Sequence, residues 1–118
     1  ALRRTILEAM GVAGDVEGLS QAARADQDPA LRRAAIQGLG VASSPAATAA
    51  LKQIYAANAD PGIRRAVIEG LFVADDARAL IDLFRAEKDR ELKHDIIQKL
   101  SLMDSPEATD MLLKLLEQ

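Results

Sequence analysis

The chain has 118 residues, a formal net charge of −3 at neutral pH and no cysteine. The acidic balance argues against a nucleic-acid-binding face, which needs a broad basic surface, and the lack of cysteine excludes disulfides and thiolate metal sites. Apolar residues make up 49% of the chain but aromatic residues only 3%, which favours closely packed helices of Ala, Leu, Ile and Val over a β-sandwich.

Apolar residues at helical spacing, together with capping residues, predict eight helices along the chain. The expected ranges are about 1–13, 15–25, 29–42, 44–57, 61–74, 76–87, 89–103 and 105–117. Four of these helices begin with a capping residue followed directly by proline, namely Asp28-Pro29, Ser44-Pro45, Asp60-Pro61 and Ser105-Pro106. The capping side chain accepts from a backbone N–H that has no helical partner, and proline has no N–H to leave unpaired. Asp89 provides the same cap without the proline.

Every second helix carries one repeated motif, whose copies begin at Leu2, Leu31, Ile63 and Leu92 with offsets of 29, 32 and 29 residues. In each copy a large apolar residue precedes a basic one, and a second large apolar residue follows seven positions later. The basic residues are Arg3, Arg32, Arg64 and Lys93. Such spacing is typical of an amphipathic helix, and its recurrence predicts stacked helical hairpins.

The string Asp-Pro-x-Leu/Ile-Arg-Arg-Ala, followed by Gly-Leu, resembles the HEAT repeat, specifically the short bacterial form called the PBS-lyase HEAT-like repeat. The resemblance covers essentially the whole chain, and the signature Asp and basic residue correspond to Asp28 with Arg32, Asp60 with Arg64, and Asp89 with Lys93. It implies an all-α fold, a right-handed α-solenoid. The helices at about 1–13, 29–42, 61–74 and 89–103 would form its inner, concave layer, and those at about 15–25, 44–57, 76–87 and 105–117 its outer layer. It also implies that Asp and Arg pair along the helix or bridge neighbouring repeats as a ladder.

The chain starts inside a predicted helix, and its last helix carries more apolar surface than one repeat covers. We therefore expect residues 1–118 to form a single HEAT-like repeat domain that is a piece of a longer protein. No apolar run approaches the roughly 20 residues needed to span a bilayer. A soluble protein of either the cytoplasm or the periplasm fits these features.

Candidate catalytic and metal-binding residues are few. His94 is the single histidine, and His94-Asp95 is one imperfect match to the His-Glu pairs that hold di-iron centres in some HEAT-repeat enzymes. A metal site needs three or four converging ligands, so we interpret His94 as a solvated surface residue. The glycines form no phosphate-binding loop; Gly38 and Gly70 recur at one repeat position, which predicts close packing of neighbouring helices. The scarcity of aromatic residues disfavours the bilin chemistry of related lyases. We expect no catalytic residue, no metal and no cofactor.

The outward-facing side of the motif helices is the candidate binding surface. If Leu31, Ala35 and Leu39 are core, Arg33 and Gln37 face outward on the concave side. The corresponding pairs are Arg4 with Glu8, Arg65 with Glu69, and His94 with Gln98. We predict that this row contacts a partner protein or peptide; an ordinary solvated face is the alternative.

Phe72 breaks the repeat, because the other copies have Gly11, Gly40 or Ser101 at its position. An exposed aromatic side chain on such a face is typical of a binding hot spot, whereas burial against the next helix is the alternative.

These features favour a non-catalytic scaffold for protein–protein interaction, with no nucleic-acid partner. Two other functions stay open at this point. One is a regulatory or lyase-like segment of a larger HEAT-repeat enzyme that handles a chromophore or metal. The other is a purely structural spacer.

Overall fold

The computed structural model describes residues 2–118. The helices are α1 (Leu2–Ala13), α2 (Val16–Ala25), α3 (Pro29–Ala42), α4 (Pro45–Ala57), α5 (Pro61–Val73), α6 (Ala77–Ala86), α7 (Arg90–Ser101) and α8 (Pro106–Leu116). The odd-numbered helices stack in one layer and the even-numbered helices in another, in a body of 48 × 25 × 21 Å. No strand occurs between residues 2 and 118. The prediction of an all-α solenoid is confirmed.

Helix starts follow the capping residues that the sequence indicated. The Asp28 and Asp60 carboxylates each accept a hydrogen bond of 2.9 Å from the backbone N–H two residues later. The Ser44 hydroxyl accepts one of 3.1 Å from the N–H of Ala47. These caps satisfy backbone donors that have no partner within the helix, so they fix where each helix begins.

The core lies between the two layers and is built almost entirely from aliphatic side chains. Ile36, Leu39, Ile68 and Leu71 of the odd-numbered layer have no exposed surface, and Leu80 of the other layer is also fully buried. The expectation of a core with few aromatic side chains is confirmed, since Tyr55 is the one aromatic residue among the buried core residues of the described chain.

The odd-numbered helices approach one another more closely than the even-numbered ones. Glycine permits this approach. A Cβ atom on Gly11 would lie 2.9 Å from the backbone of Gly38, and one on Gly40 would lie 2.6 Å from the carbonyl oxygen of Gly70. These glycines therefore set the spacing of α1, α3 and α5.

The signature arginines bridge neighbouring repeats, but their acceptors are not the signature aspartates. Arg32 donates to the carbonyl oxygen of Ala23 at 2.9 Å and to the side chain of Asn58 at 3.2 Å. Arg64 donates to the carbonyl oxygen of Asn58 at 2.6 Å and to Glu87 at 3.0 Å. The aspartates cap their own helices instead. The arginines thus bridge neighbouring repeats, but the Asp–Arg pairing that the resemblance implied, along the helix or as a ladder, is wrong for Asp28 and Asp60, because their carboxylates cap the helices.

Candidate functional site

Four of the predicted binding residues line one groove on the odd-numbered layer. Arg4 of α1, Arg33 of α3 and Arg65 of α5 surround a volume of about 300 Å³, together with Gln37. The remaining lining residues are small: Ala30, Ala34, Gly62 and Ala66. We call this the arginine groove. Because the side chains of its floor are small, the guanidinium groups of α1, α3 and α5 are accessible on the same surface.

The three arginines differ in what they contact. Arg4 pairs with Glu8 at 3.3 Å, and Arg65 pairs with Glu91 of α7 at 3.3 Å. Arg33 is exposed and has no hydrogen bond or ion pair to any residue in 2–118. The central arginine is therefore the open donor of the groove.

The other predicted residues lie outside this groove. Glu69 pairs with Lys99 at 3.4 Å, and Gln98 is exposed on α7. His94 lines a separate depression of about 260 Å³ beside Phe84 and Lys93. The row that the repeat predicted is thus divided: its basic part over α1, α3 and α5 forms one groove, and His94 belongs to another surface.

Phe72 is half-buried and packs against the core. The ammonium group of Lys99 lies 5.8 Å from the centre of its ring, within cation–π distance. The alignment of the repeats explains this pair. At the α5–α7 interface, Phe72 takes the place that Gly40 has at the α3–α5 interface, and Lys99 takes the place of Gly70. The α5–α7 contact is correspondingly less extensive than the α3–α5 contact. A role for Phe72 in partner binding stays a prediction.

The Phe72–Lys99 pair leads to a stability prediction. We expect Lys99→Ala to lower the free energy of unfolding by about 1 kcal/mol, because it removes the cation–π contact and the pairs with Glu69 and Asp95. Urea unfolding followed by circular dichroism measures this change. Lys114→Ala, at an exposed position of α8, is the matched control and should have little effect. Equal losses in the two variants would contradict the assignment.

Glu91 is a residue of this surface that the sequence analysis missed. It occupies the repeat position of the floor residues Ala30 and Gly62, and in the fourth repeat it places a carboxylate where the others are small. Asp95 likewise replaces Ala34 and Ala66. Aligning these positions across the repeats would have shown that the floor becomes acidic at α7, where the basic stretch ends.

Metal ligands do not converge in the described part of the chain: residues 2–118 contain no group of three or more His, Asp or Glu side chains that could hold an ion. None of the helices described is long and apolar enough to cross a membrane.

The fold and this surface define a class, the α-solenoids built from repeated helical hairpins. The protein family described as HEAT repeats matches residues 16–84, which is more than half of the chain. The chain therefore belongs to the HEAT-repeat family. A comparison with curated proteins gives no match.

Proposed function

We propose that this chain is a non-catalytic scaffold that binds a partner protein through the odd-numbered helices, with the arginine groove at the centre of the contact. HEAT repeats generally mediate contacts between proteins, and this all-α fold is typically non-catalytic. The observation that supports the proposal is the arginine groove. Three neighbouring helices of one layer each present one arginine there, and the central arginine, Arg33, is unpaired.

The construction of the groove suits a docking surface. Its floor residues are too small to block the approach of a partner backbone, and the arginine side chains supply several donors in a fixed fork geometry. Stacked repeats contact only their neighbours, so small changes between repeats let such a surface adjust to what it binds.

Capture experiments test this function. The immobilised chain is incubated with a cell extract, and bound proteins are compared between two double variants of equal net charge. We expect Arg33→Glu with Arg65→Glu to lose the captured proteins. Arg24→Glu with Arg85→Glu, on exposed positions of α2 and α6, should retain them. Retention of every captured protein by the first variant would contradict the proposal.

A photoreactive amino acid in place of Gln37 tests directly whether a partner protein contacts the arginine groove. We expect it to crosslink to the captured protein, because Gln37 lines the arginine groove. The same amino acid in place of Gln53, an exposed residue of α4, should not. Crosslinks from the α4 position alone would place the contact on the other layer.

We also propose that residues 1–118 are one repeat domain within a longer array. Ile6 of α1 is 49% exposed, whereas residues at the same repeat position, Ala35, Val67 and Ile96, are fully buried by the preceding repeat. Leu113 and Leu116 expose apolar surface at the other end. Limited proteolysis tests the single-domain part: one resistant core is expected, and stable cleavage between two hairpins would contradict it.

A further inference from the structure

The arginine groove is a local basic site on an acidic chain. Its lining residues include three arginines and no carboxylate, although the chain as a whole carries a net charge of −3. A guanidinium group presents paired N–H donors that match the two oxygens of a carboxylate, so it is the preferred side chain for this recognition. The groove is therefore complementary in charge to an acidic ligand.

The free protein already contains carboxylates at two of the three arginines. Glu8 contacts Arg4 and Glu91 contacts Arg65, each at 3.3 Å, and all four side chains are at least half exposed. Exposed ion pairs of this kind contribute little to stability, so another carboxylate can replace either one at small cost. Arg33 has no such internal partner and is open to a ligand.

We propose that the groove binds an extended acidic peptide segment of the partner, and this inference rests on the function proposed above. One carboxylate of the segment binds Arg33. Neighbouring carboxylates displace Glu8 from Arg4 and Glu91 from Arg65. In the free protein, Glu8 and Glu91 therefore act as internal competitors of the ligand.

The spacing of the helices specifies the pattern of acidic residues. Neighbouring packed helices lie about 8–10 Å apart, and a polyproline II segment advances about 9 Å in three residues while returning to the same face. An acidic residue at every third position therefore meets α1, α3 and α5 in turn. The basic stretch ends at α7, where Glu91 and Asp95 replace the small floor residues.

A peptide fits this surface better than a nucleic acid. Glu8, Glu69 and Glu91 flank the arginines, and a continuous phosphate backbone would run past these carboxylates as well as the guanidinium groups. Nucleic-acid binding depends on neutralising many phosphates over a broad basic face. A peptide can place its few charges at the three arginines alone.

Fluorescence anisotropy with a labelled synthetic peptide tests the proposal. The probe has twelve residues with Asp at every third position, separated by Pro, Ala and Ser, and the reference peptide has Asn at the same places. We expect the Asp peptide to bind and the Asn peptide to bind at least about fivefold more weakly. Arg33→Gln should weaken binding of the Asp peptide by about fivefold. The matched control, Arg24→Gln on α2, should leave it nearly unchanged.

Substitution of the internal competitors, Glu8 and Glu91, should change the affinity for the peptide in the opposite direction. Glu8→Gln and Glu91→Gln should each strengthen peptide binding by about two- to threefold, because the ligand no longer displaces a carboxylate. Glu17→Gln changes the net charge equally on α2 and should have a smaller effect. A gain limited to the first two variants would show that carboxylates at the groove, and not the net charge of the chain, oppose the ligand.

Four results would overturn the inference. Equal weakening by Arg33→Gln and Arg24→Gln would show that net charge alone attracts the peptide. Equal displacement of the peptide by a thymidine oligonucleotide of the same charge would show a general polyanion site. Absence of peptide binding, while the photoreactive residue at position 37 still crosslinks to a captured protein, would reject the acidic ligand and leave the proposed function standing. Loss of both signals would reject both.

Discussion

Gly40→Ala is expected to lower the free energy of unfolding by about 2 kcal/mol, although alanine is the better helix former. The new Cβ atom would lie 2.6 Å from the carbonyl oxygen and 2.8 Å from the Cα atom of Gly70. Both are backbone atoms, so α3 and α5 must separate. Overpacking of this kind costs up to about 3 kcal/mol, and the gain in helix propensity of about 1 kcal/mol offsets part of it.

Gly62→Ala is the matched control and should change stability in the opposite direction. A Cβ atom on Gly62 would meet only the carboxylate of Asp60, at 3.4 Å, which is ordinary contact. We expect a gain of about 0.5 kcal/mol, because alanine restricts the unfolded chain. Urea unfolding measures both variants under the same conditions. A stabilising Gly40→Ala would contradict the assignment of this glycine to the close approach of α3 and α5.

Much of the fold could be predicted because its determinants are local in the sequence. An Asp-Pro or Ser-Pro pair caps the helix that it precedes, and these caps are observed where the sequence placed them. Repetition added the long-range information, since residues at one repeat position occupy similar surroundings. The repeated glycines Gly38 and Gly70 indicated close helix packing for this reason, and both approach the backbone of a neighbouring helix.

Contacts between different repeat positions could not be predicted in the same way. The acceptors of the arginine ladder stand two residues before each cap, at Asp26, Asn58 and Glu87, but they differ in residue type. Phe72 and Lys99 each look like an isolated exception in their own helix. Only the packing of α5 on α7 shows that the Lys99 side chain contacts the Phe72 ring.

The arginine groove was predictable in part for a related reason. Helical periodicity places Arg4, Arg33 and Arg65 on one face, which is what the sequence analysis proposed. Whether each guanidinium group is open depends on its neighbours across the helix interface, such as Glu91 beside Arg65. Periodicity within one helix contains no information about those neighbours. That Arg33 is the unpaired arginine of the groove could therefore be seen only in the structure.

The second large effect is expected at Glu87, the buried carboxylate between the third and fourth repeats. It accepts hydrogen bonds from the hydroxyl of Tyr55, from Arg64 at 3.0 Å, and from the backbone N–H groups of Lys88 and Asp89 at 2.9 and 3.0 Å. Arg64 also lies over the Tyr55 ring. We expect Glu87→Ala to lower the free energy of unfolding by about 3 kcal/mol, because it leaves the Tyr55 hydroxyl without its acceptor and the partly buried Arg64 without its carboxylate partner.

The same cluster predicts how stability depends on pH. Burial opposes ionisation of Glu87, but the hydrogen bonds from Tyr55 and from the backbone of Asp89 and Lys88, with the charge of Arg64, outweigh it and lower the pKa of this carboxyl. Because the folded-state pKa lies below the unfolded-state value of about 4.3, ionised Glu87 stabilises the fold above that pH. This contribution is lost as the pH falls through the folded-state pKa.

Tyr55 makes the stability of the fold depend on pH at the alkaline end of the range. Burial, followed by the hydrogen bond and the charge of Glu87, raises the pKa of Tyr55 above its ordinary value. The unfolded chain therefore ionises this phenol first, and the fold loses stability as the pH rises beyond about 10. Tyr55 is the single tyrosine of the chain, so phenolate absorbance reports its titration directly.

Glu87→Gln separates the charge of this carboxyl from its volume. At neutral pH we expect it to lower the free energy of unfolding by about 2 kcal/mol, because a neutral amide replaces an acceptor of charge-assisted hydrogen bonds. The difference from the unmodified protein should shrink as the pH falls from about 4 through the lowered folded-state pKa of Glu87, because both side chains are neutral below that pKa. Glu107→Gln removes a carboxylate from the exposed pair with Arg78 and should change stability little at any pH. A loss at Glu87 that is independent of pH would mean that the packing of this side chain, and not its buried charge, provides the contribution to stability.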